Sequence, residues 1–111
     1  MEKLNEKDRE FRGGDSGPKY LIRGPKWEGG IIVFKPGQKL GKHYHNDVEE
    51  TFYFLEGSPL MVINDKEMRV TPGDVFRIEP KETHNIINDT QKDTRIIFIK
   101  CPYLPEDKIN C

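Results

Sequence analysis

Short runs of β-branched and aromatic residues recur along most of the chain, separated roughly every eight to twelve residues by Gly, Pro, Asn and Asp. Such residues fit a pleated surface, and the separators suit tight turns; Asn64-Asp65 suits a two-residue hairpin because both residues tolerate positive φ. No window sustains the apolar spacing of an amphipathic helix. We therefore predict an all-β sandwich or barrel with almost no helix and with strands over residues 20–23, 31–35, 42–45, 50–56, 60–63, 67–70, 75–79, 84–87 and 95–100.

The length of 111 residues is enough for one domain with a single core. Residues 1–18 are highly charged, end in a glycine-rich segment, and offer only Leu4 and Phe11 for packing. We expect them to form a polar N-terminal arm. The β-domain is predicted over residues 19–104, followed by a C-terminal tail over residues 105–111.

Charge and composition limit the possible partners. The chain has 18 Lys and Arg against 19 Asp and Glu, so it lacks the basic excess of a nucleic-acid-binding protein. No apolar run approaches the roughly 20 residues that cross a bilayer, and the N-terminus lacks the apolar segment of a signal peptide. Cys101 and Cys111 are too few for a disulfide framework and are expected to be free thiols. We expect a cytoplasmic protein that binds neither nucleic acid nor membranes.

The three histidines of the chain suggest one site. His43 and His45 stand two residues apart in a predicted strand. Because side chains alternate across a strand, both project from the same face, about 7 Å apart along the backbone. His84 lies in a later predicted strand.

A carboxylate follows the histidine pair. A loop or bulge at Asn46-Asp47 would reset the alternation, so that Glu50 shares a face with Phe52 and Phe54. A buried Glu50 without a partner would be costly. Three imidazoles and one carboxylate suit Zn, Fe, Mn, Co, Ni or Cu better than Mg or Ca, and such a cation would offset this cost. The alternative is that the three histidines are unrelated surface or core residues.

In these residues and their spacing the chain resembles the cupins, whose two short motifs carry metal ligands. The first motif is complete: Gly37, five residues, His43, one residue, His45, four residues, Glu50, six residues and Gly57. The spacing to Gly57 selects Glu50 over Glu49. In the second motif Gly73, His84 and Asn88 are in place, but Glu79 and Lys81 occupy the usual Pro and Gly positions.

The resemblance implies a single-domain cupin jelly-roll β-barrel that binds one divalent transition metal through His43, His45, Glu50 and His84. It covers about residues 20–100. The Gly normally found at position 81 would ease an unusual backbone angle before His84. By alternation, further apolar side chains face the barrel interior, as core or as walls of an apolar pocket: Phe52, Phe54, Met68, Val70, Phe76, Ile78 and Ile86.

Two functions remain open. The first is a metal-dependent enzyme that acts on a small molecule, of the dioxygenase, isomerase or lyase type, because six-coordinate geometry would leave two metal positions free. The second is a non-catalytic cupin that binds or senses a small ligand or metal. No catalytic acid or base can be named. Strands such as 51–55 and 96–99 are apolar on both faces, which favours a homodimer that covers the outer face.

Overall fold

The computed structural model describes residues 1–111 and contains ten strands and one short 3-10 turn at Glu6–Asp8. The all-β prediction is confirmed. Nine strands overlap the nine predicted runs, and β10 was not predicted. The strands are β1 (Gly17–Arg23), β2 (Glu28–Phe34), β3 (His43–Tyr44), β4 (Glu49–Glu56), β5 (Leu60–Ile63), β6 (Lys66–Arg69), β7 (Val75–Ile78), β8 (His84–Ile87), β9 (Thr94–Cys101) and β10 (Ile109–Asn110).

The strands form two antiparallel sheets of five strands each. The first has the order β1-β2-β9-β4-β7, and the second has the order β10-β3-β8-β5-β6. Consecutive strands frequently change sheet, so the two sheets are tied together by many connections. The inner faces supply the core, as expected for a sandwich whose strands alternate inward and outward residues.

The core lies between the sheets and is built from alternate residues of the central strands. Phe52 and Phe54 of β4 and Phe98 of β9 are at most 1% exposed. Burial of each such side chain contributes about 2 kcal/mol. The seven apolar residues predicted to face inward pack in or against this cluster, with Phe52, Phe54, Val70, Ile78 and Ile86 fully buried and Met68 and Phe76 partly buried.

Two turns bear on the predictions. Asn64 and Asp65 have φ of 49° and 66° and connect β5 to β6, which confirms the predicted hairpin. Lys81 has φ of 72° in the turn before β8. Lys81 therefore adopts the left-handed conformation that a glycine usually provides at this position of the motif.

Both terminal segments pack against the sheets. In the segment assigned to an arm, Glu6 accepts two hydrogen bonds from Arg95 and its carbonyl accepts one from Lys19. In residues 105–111, β10 pairs with β3, placing Ile109 opposite Tyr44. The C-terminal segment thereby joins the sheet that carries two of the histidines. The structure contains no helix with the length and apolar character needed to cross a membrane.

Candidate metal centre

The predicted ligands come from three neighbouring strands and lie together. His43 of β3 is directly opposite His84 of β8, with ring centroids 4.3 Å apart. His45 follows β3, and Glu50 is the second residue of β4 on the facing sheet. One ligand atom from each residue lies within 4.8 Å of the other three, and all four residues are buried. The alternative of scattered histidines is therefore wrong.

Glu50 contacts two of the three histidines in this cluster. Its Oε1 lies 3.1 Å from Nε2 of His45 and 3.3 Å from Nε2 of His84. The alternation after Asn46-Asp47 is as predicted, since Glu50, Phe52 and Phe54 are buried while Tyr53 and Leu55 are exposed.

The other nitrogen of each ring is held by backbone. Nδ1 of His43 lies 2.7 Å from the Gly41 carbonyl, and Nδ1 of His84 lies 3.1 Å from the Glu82 carbonyl. Nδ1 of His45 contacts the Asp107 carbonyl at the C-terminal end of the chain. A carbonyl can only accept, so each Nδ1 carries the proton, and a neutral ring then directs the Nε2 lone pair inward.

This arrangement requires a proton or a metal ion between Glu50 and the rings of His45 and His84. For His45 and His84, an Nε2 lone pair would face a carboxylate oxygen, and two acceptors in contact repel each other. Either a proton on Nε2 or a metal ion relieves this conflict. Carbonyl bonds to the outer nitrogen are also the usual way in which proteins orient metal-binding histidines. The donor set thus fits one divalent transition metal.

The electrostatics favour the same charge states. Burial lowers the pKa of His43 to about 4, so this ring is neutral and able to bind a metal at neutral pH. Burial alone would raise the pKa of Glu50, but hydrogen bonds from His45 and His84 outweigh it and lower the pKa to about 2. Burial lowers the pKa of His45, but its bonds to Glu50 and the Asp107 carbonyl outweigh burial and raise it. Glu50 therefore stays ionised, and a positive partner stabilises it.

A cavity of about 150 Å³ reaches the cluster from the surface and contacts His43 and Glu50. Its lining includes the buried side chains of Ile32 and Phe98 and the exposed residues Arg12 and Pro105. Of the two alternatives for the inward-facing apolar side chains, core packing is confirmed and a pocket walled by them is wrong, because they fill the core and none of them lines the cavity. The polar and charged lining residues are Arg12, Tyr20, Arg23, His43, Glu50, Lys100, Asp107 and Lys108.

A family model for the cupin domain matches residues 30–100, which is more than half of the chain. This chain is a cupin. The match includes all four predicted ligands and agrees with the resemblance inferred from the two motifs.

Three relatives are similar in sequence to this cupin. An uncharacterized protein of Methanocaldococcus jannaschii is 32% identical over 85 residues, which are 77% of this chain and 66% of that protein. The tetracenomycin polyketide synthase protein TcmJ of Streptomyces glaucescens is 26% identical over 72% of this chain and 54% of its own. Quercetin 2,3-dioxygenase of Bacillus subtilis is 31% identical over 63% of this chain and 20% of its own. The chain therefore spans less than two thirds of each relative.

Solved structures share the fold. A Klebsiella pneumoniae protein described as having a double-stranded β-helix domain superposes with a TM-score of 0.84 at 14% identity, covering 100% of this cupin and 97% of that chain. The polyketide cyclase RemF of Streptomyces resistomycificus superposes with a TM-score of 0.82 at 20% identity, covering 99% and 84%. The predicted cupin jelly roll is confirmed.

Sequence reasoning missed the residues around the cluster. Lys100 could have been found, because its alternation with Ile96 and Phe98 places it on the inner face of β9. Asp107 and Lys108 carried no signal, since their polar segment has no alternating pattern. Lys42, which precedes His43, is outside the site and forms an exposed ion pair with Asp65. Cys101 and Cys111 are free and exposed, as predicted.

Proposed function

We propose that this cupin is a metal-dependent enzyme that acts on a small molecule, of the dioxygenase, isomerase or lyase type. The observation that carries the proposal is the cavity that reaches His43 and Glu50 from the surface. Four protein ligands close a tetrahedral structural metal site, whereas a six-coordinate metal held by four ligands keeps two positions open to substrate. A buried cluster with its own access route belongs to the second kind.

Different residues would bind the metal, orient its ligands and line the cavity. His43, His45, Glu50 and His84 would hold the metal, and their backbone partners fix the ring orientations. A bound divalent metal supplies Lewis acidity and, for redox-active ions, electron transfer at positions left free by the protein. Ile32 and Phe98 exclude water from the inner cavity, which strengthens the electrostatic interactions there.

The cavity limits the size of the substrate. A volume of 150 Å³ matches that of a protein cavity that holds benzene, or about five water molecules at ~30 Å³ each. The activity in the name of the Bacillus relative, of which the chain spans only 20%, is not carried over to this cupin.

Turnover by the reconstituted protein tests the proposal. Metal-free protein is loaded separately with Fe(II), Mn(II), Ni(II) or Zn(II) and incubated with small hydroxy acids, oxo acids and enediols, with product formation followed by NMR and O₂ uptake by electrode. We expect at least one metal and substrate pair to turn over, and His43→Ala to abolish the reaction. Lys42→Met is the control, because Lys42 precedes His43 but pairs with Asp65 outside the cavity.

The opposite result would favour the second candidate. Stoichiometric binding of a small molecule to the metal-loaded protein, with no conversion under any of these conditions, would make this cupin a non-catalytic binding or sensing module.

We also propose a homodimer formed through the outer face of the first sheet. Tyr53 and Ile99 are about two-fifths exposed and Val75 is 61% exposed. Tyr53 lies opposite both Val75 and Ile97, so these side chains form one continuous apolar row across β7, β4 and β9. A two-fold contact brings each patch against its own copy, and an uncharged apolar row is complementary to itself.

A further inference from the structure

Positive side chains dominate the cavity that leads to the metal cluster. Arg12, Arg23, Lys100 and Lys108 line it, and the acidic lining residues are Glu50 and Asp107. A bound divalent metal would add two further positive charges.

The carboxylates near this cavity already have partners. Glu50 interacts with His45 and His84. Both Asp107 oxygens accept hydrogen bonds from the backbone of residues 46–48, at 2.8 to 3.0 Å. Neither carboxylate forms an ion pair with a cavity lysine.

Three of the four cations have no acidic partner. Arg23 lies 3.3 Å from buried Glu28. Arg12, Lys100 and Lys108 take part in none of the ion pairs of the structure.

Two of these three cavity cations, Arg12 and Lys100, lie around Tyr20. Lys100 lies directly opposite Glu50 across β4 and β9, so both side chains share the inner face. Its Nζ donates a hydrogen bond of 2.8 Å to the Tyr20 hydroxyl, and Arg12 lies over the same ring at 5.7 Å. Burial, followed by the charges of Lys100 and Arg12, lowers the pKa of Lys108. These groups are close enough to repel one another.

We propose that the cavity binds a small organic anion, whose carboxylate or phosphate group faces Lys100, Lys108 and Arg12 while its other end lies at the metal. Oxygen anions form charge-assisted hydrogen bonds with ammonium and guanidinium groups, and one such anion would relieve the mutual repulsion of all three. The proposal rests on the proposed function only for the end of the molecule that meets the metal.

Isosteric probes test the charge requirement. Binding of glycolate and of its neutral analogue glycolamide is measured by NMR titration on metal-free and zinc-loaded protein, with inorganic phosphate as a third probe. We expect glycolate or phosphate to bind at least tenfold tighter than glycolamide even without metal. Lys100→Met is expected to weaken anion binding to the metal-free protein at least fivefold, with glycolamide binding unchanged within twofold.

Two further variants keep the test decisive. Lys108→Met removes an exposed cation and should act in the same direction even if Lys100→Met folds poorly. Lys42→Met removes the same charge outside the cavity and should leave anion binding unchanged. Tighter binding of phosphate than of glycolate would assign a phosphate group, and the reverse order a carboxylate; either supports the proposal. Equal binding of glycolate and glycolamide to metal-free protein would overturn it, as would parent-like anion binding by both cavity variants.

The two proposals fail separately. Anion selectivity in the absence of metal would stand even if no turnover were found. Metal-dependent turnover of neutral substrates only, without anion binding, would leave the enzyme proposal intact and overturn this one.

Discussion

Glu49 and Glu50 are adjacent in β4, but their side chains lie on opposite faces of the sheet. The Glu50 side chain is 4% exposed and contacts two histidine rings. The Glu49 side chain is 41% exposed, and its nearest cation is Arg77 at 3.9 Å. The same chemical group therefore has a buried polar environment in one case and a solvent-exposed one in the other, which gives an internal control for the metal site.

Replacing Glu50 by Gln should remove most of the bound metal. The substitution keeps the shape of the side chain but removes the charge that, with the three rings, makes the cluster a cation site. We expect near-stoichiometric transition metal in the parent and at least a tenfold loss of metal affinity in Glu50→Gln, measured by elemental analysis and competition with a chelator. Glu49→Gln should behave like the parent. A parent that is metal-free and cannot be loaded would contradict the assignment of the site.

Strand alternation alone predicts the part of the site that comes from one stretch of chain. His43 and His45 share a face because they stand two apart, and Glu50 joins them because Asn46-Asp47 interrupts the count. The meeting of His84 with His43 needed more than local pattern, because pairing between β3 and β8 is a long-range choice. Only the resemblance to the cupin motifs predicted that His84 joins the site. In the structure the two residues meet because His43 and His84 are directly paired between β3 and β8.

The surroundings of the site were less predictable. Residues 105–111 contain one Ile and no alternation, so nothing local indicates that they add β10 beside β3. These residues contact the site through backbone atoms and through the Asp107 carboxylate. Such contacts require no hydrophobic pattern in the sequence. Strand alternation could not decide whether the inward-facing apolar side chains fill the core or line a pocket, because it gives only the face of the sheet; in the structure they fill the core, and other residues line the cavity.

Acidification should destabilise the metal-free protein through His43. Its pKa of about 4 lies below the ordinary 6.5, so between these values the unfolded chain binds a proton that the folded protein does not. The free energy of unfolding therefore falls as the pH drops through this window, by up to about 3 kcal/mol if the full shift is realised. The raised pKa of His45 acts in the opposite direction, since protonation there favours the folded state.

Urea denaturation of the metal-free parent and His43→Gln between pH 6.5 and 5 isolates the contribution of His43. This range lies above the ordinary Glu pKa of 4.5, so Glu50 contributes little. We expect the parent to lose stability relative to the variant as the pH falls. A difference between the two proteins that is independent of pH would contradict the buried, neutral state of this ring.

Asp107 should stabilise the loop that sets the position of Glu50. Its carboxylate accepts three backbone hydrogen bonds from residues 46–48, and its carbonyl contacts His45. Loss of bonds to a charged group costs about 2 kcal/mol. Asp107→Ala keeps the carbonyl that contacts His45 but removes the bonds that hold its segment in place. It should lower the free energy of unfolding by this amount and weaken metal binding by up to ~10-fold, the lower end of the effect of losing a partner of a metal ligand. Asp65→Ala, which breaks an exposed ion pair, should change stability by less than ~1 kcal/mol and leave metal affinity unchanged.

Lys81→Gly should be tolerated. Pro80 precedes Lys81 in a turn closed by a hydrogen bond of 3.2 Å from the Glu82 N–H to the Glu79 carbonyl, and Lys81 occupies the left-handed region favoured by glycine. Relief of this conformation and the greater entropy of the unfolded glycine roughly cancel, so we expect a change within ~1 kcal/mol. Lys81→Val should destabilise by more than ~1 kcal/mol, because a branched side chain fits this conformation worst. Equal thermal denaturation midpoints for the two variants would contradict the strained turn.

The outer face of the first sheet should decide the oligomeric state. Ile99 lies opposite Thr51 on β4 and Gly29 on β2, near the centre of that face, and its side chain is 42% exposed. A charge at this position would meet its own copy across a two-fold axis, and two buried like charges repel strongly. We therefore expect the parent to sediment as a dimer and Ile99→Lys to sediment as a monomer with its metal content unchanged. Glu67→Lys, on the exposed face of β6 in the other sheet, should remain dimeric. A parent that sediments as a monomer across the micromolar range would contradict the dimer, and a dimeric Ile99→Lys would place the contact on another surface.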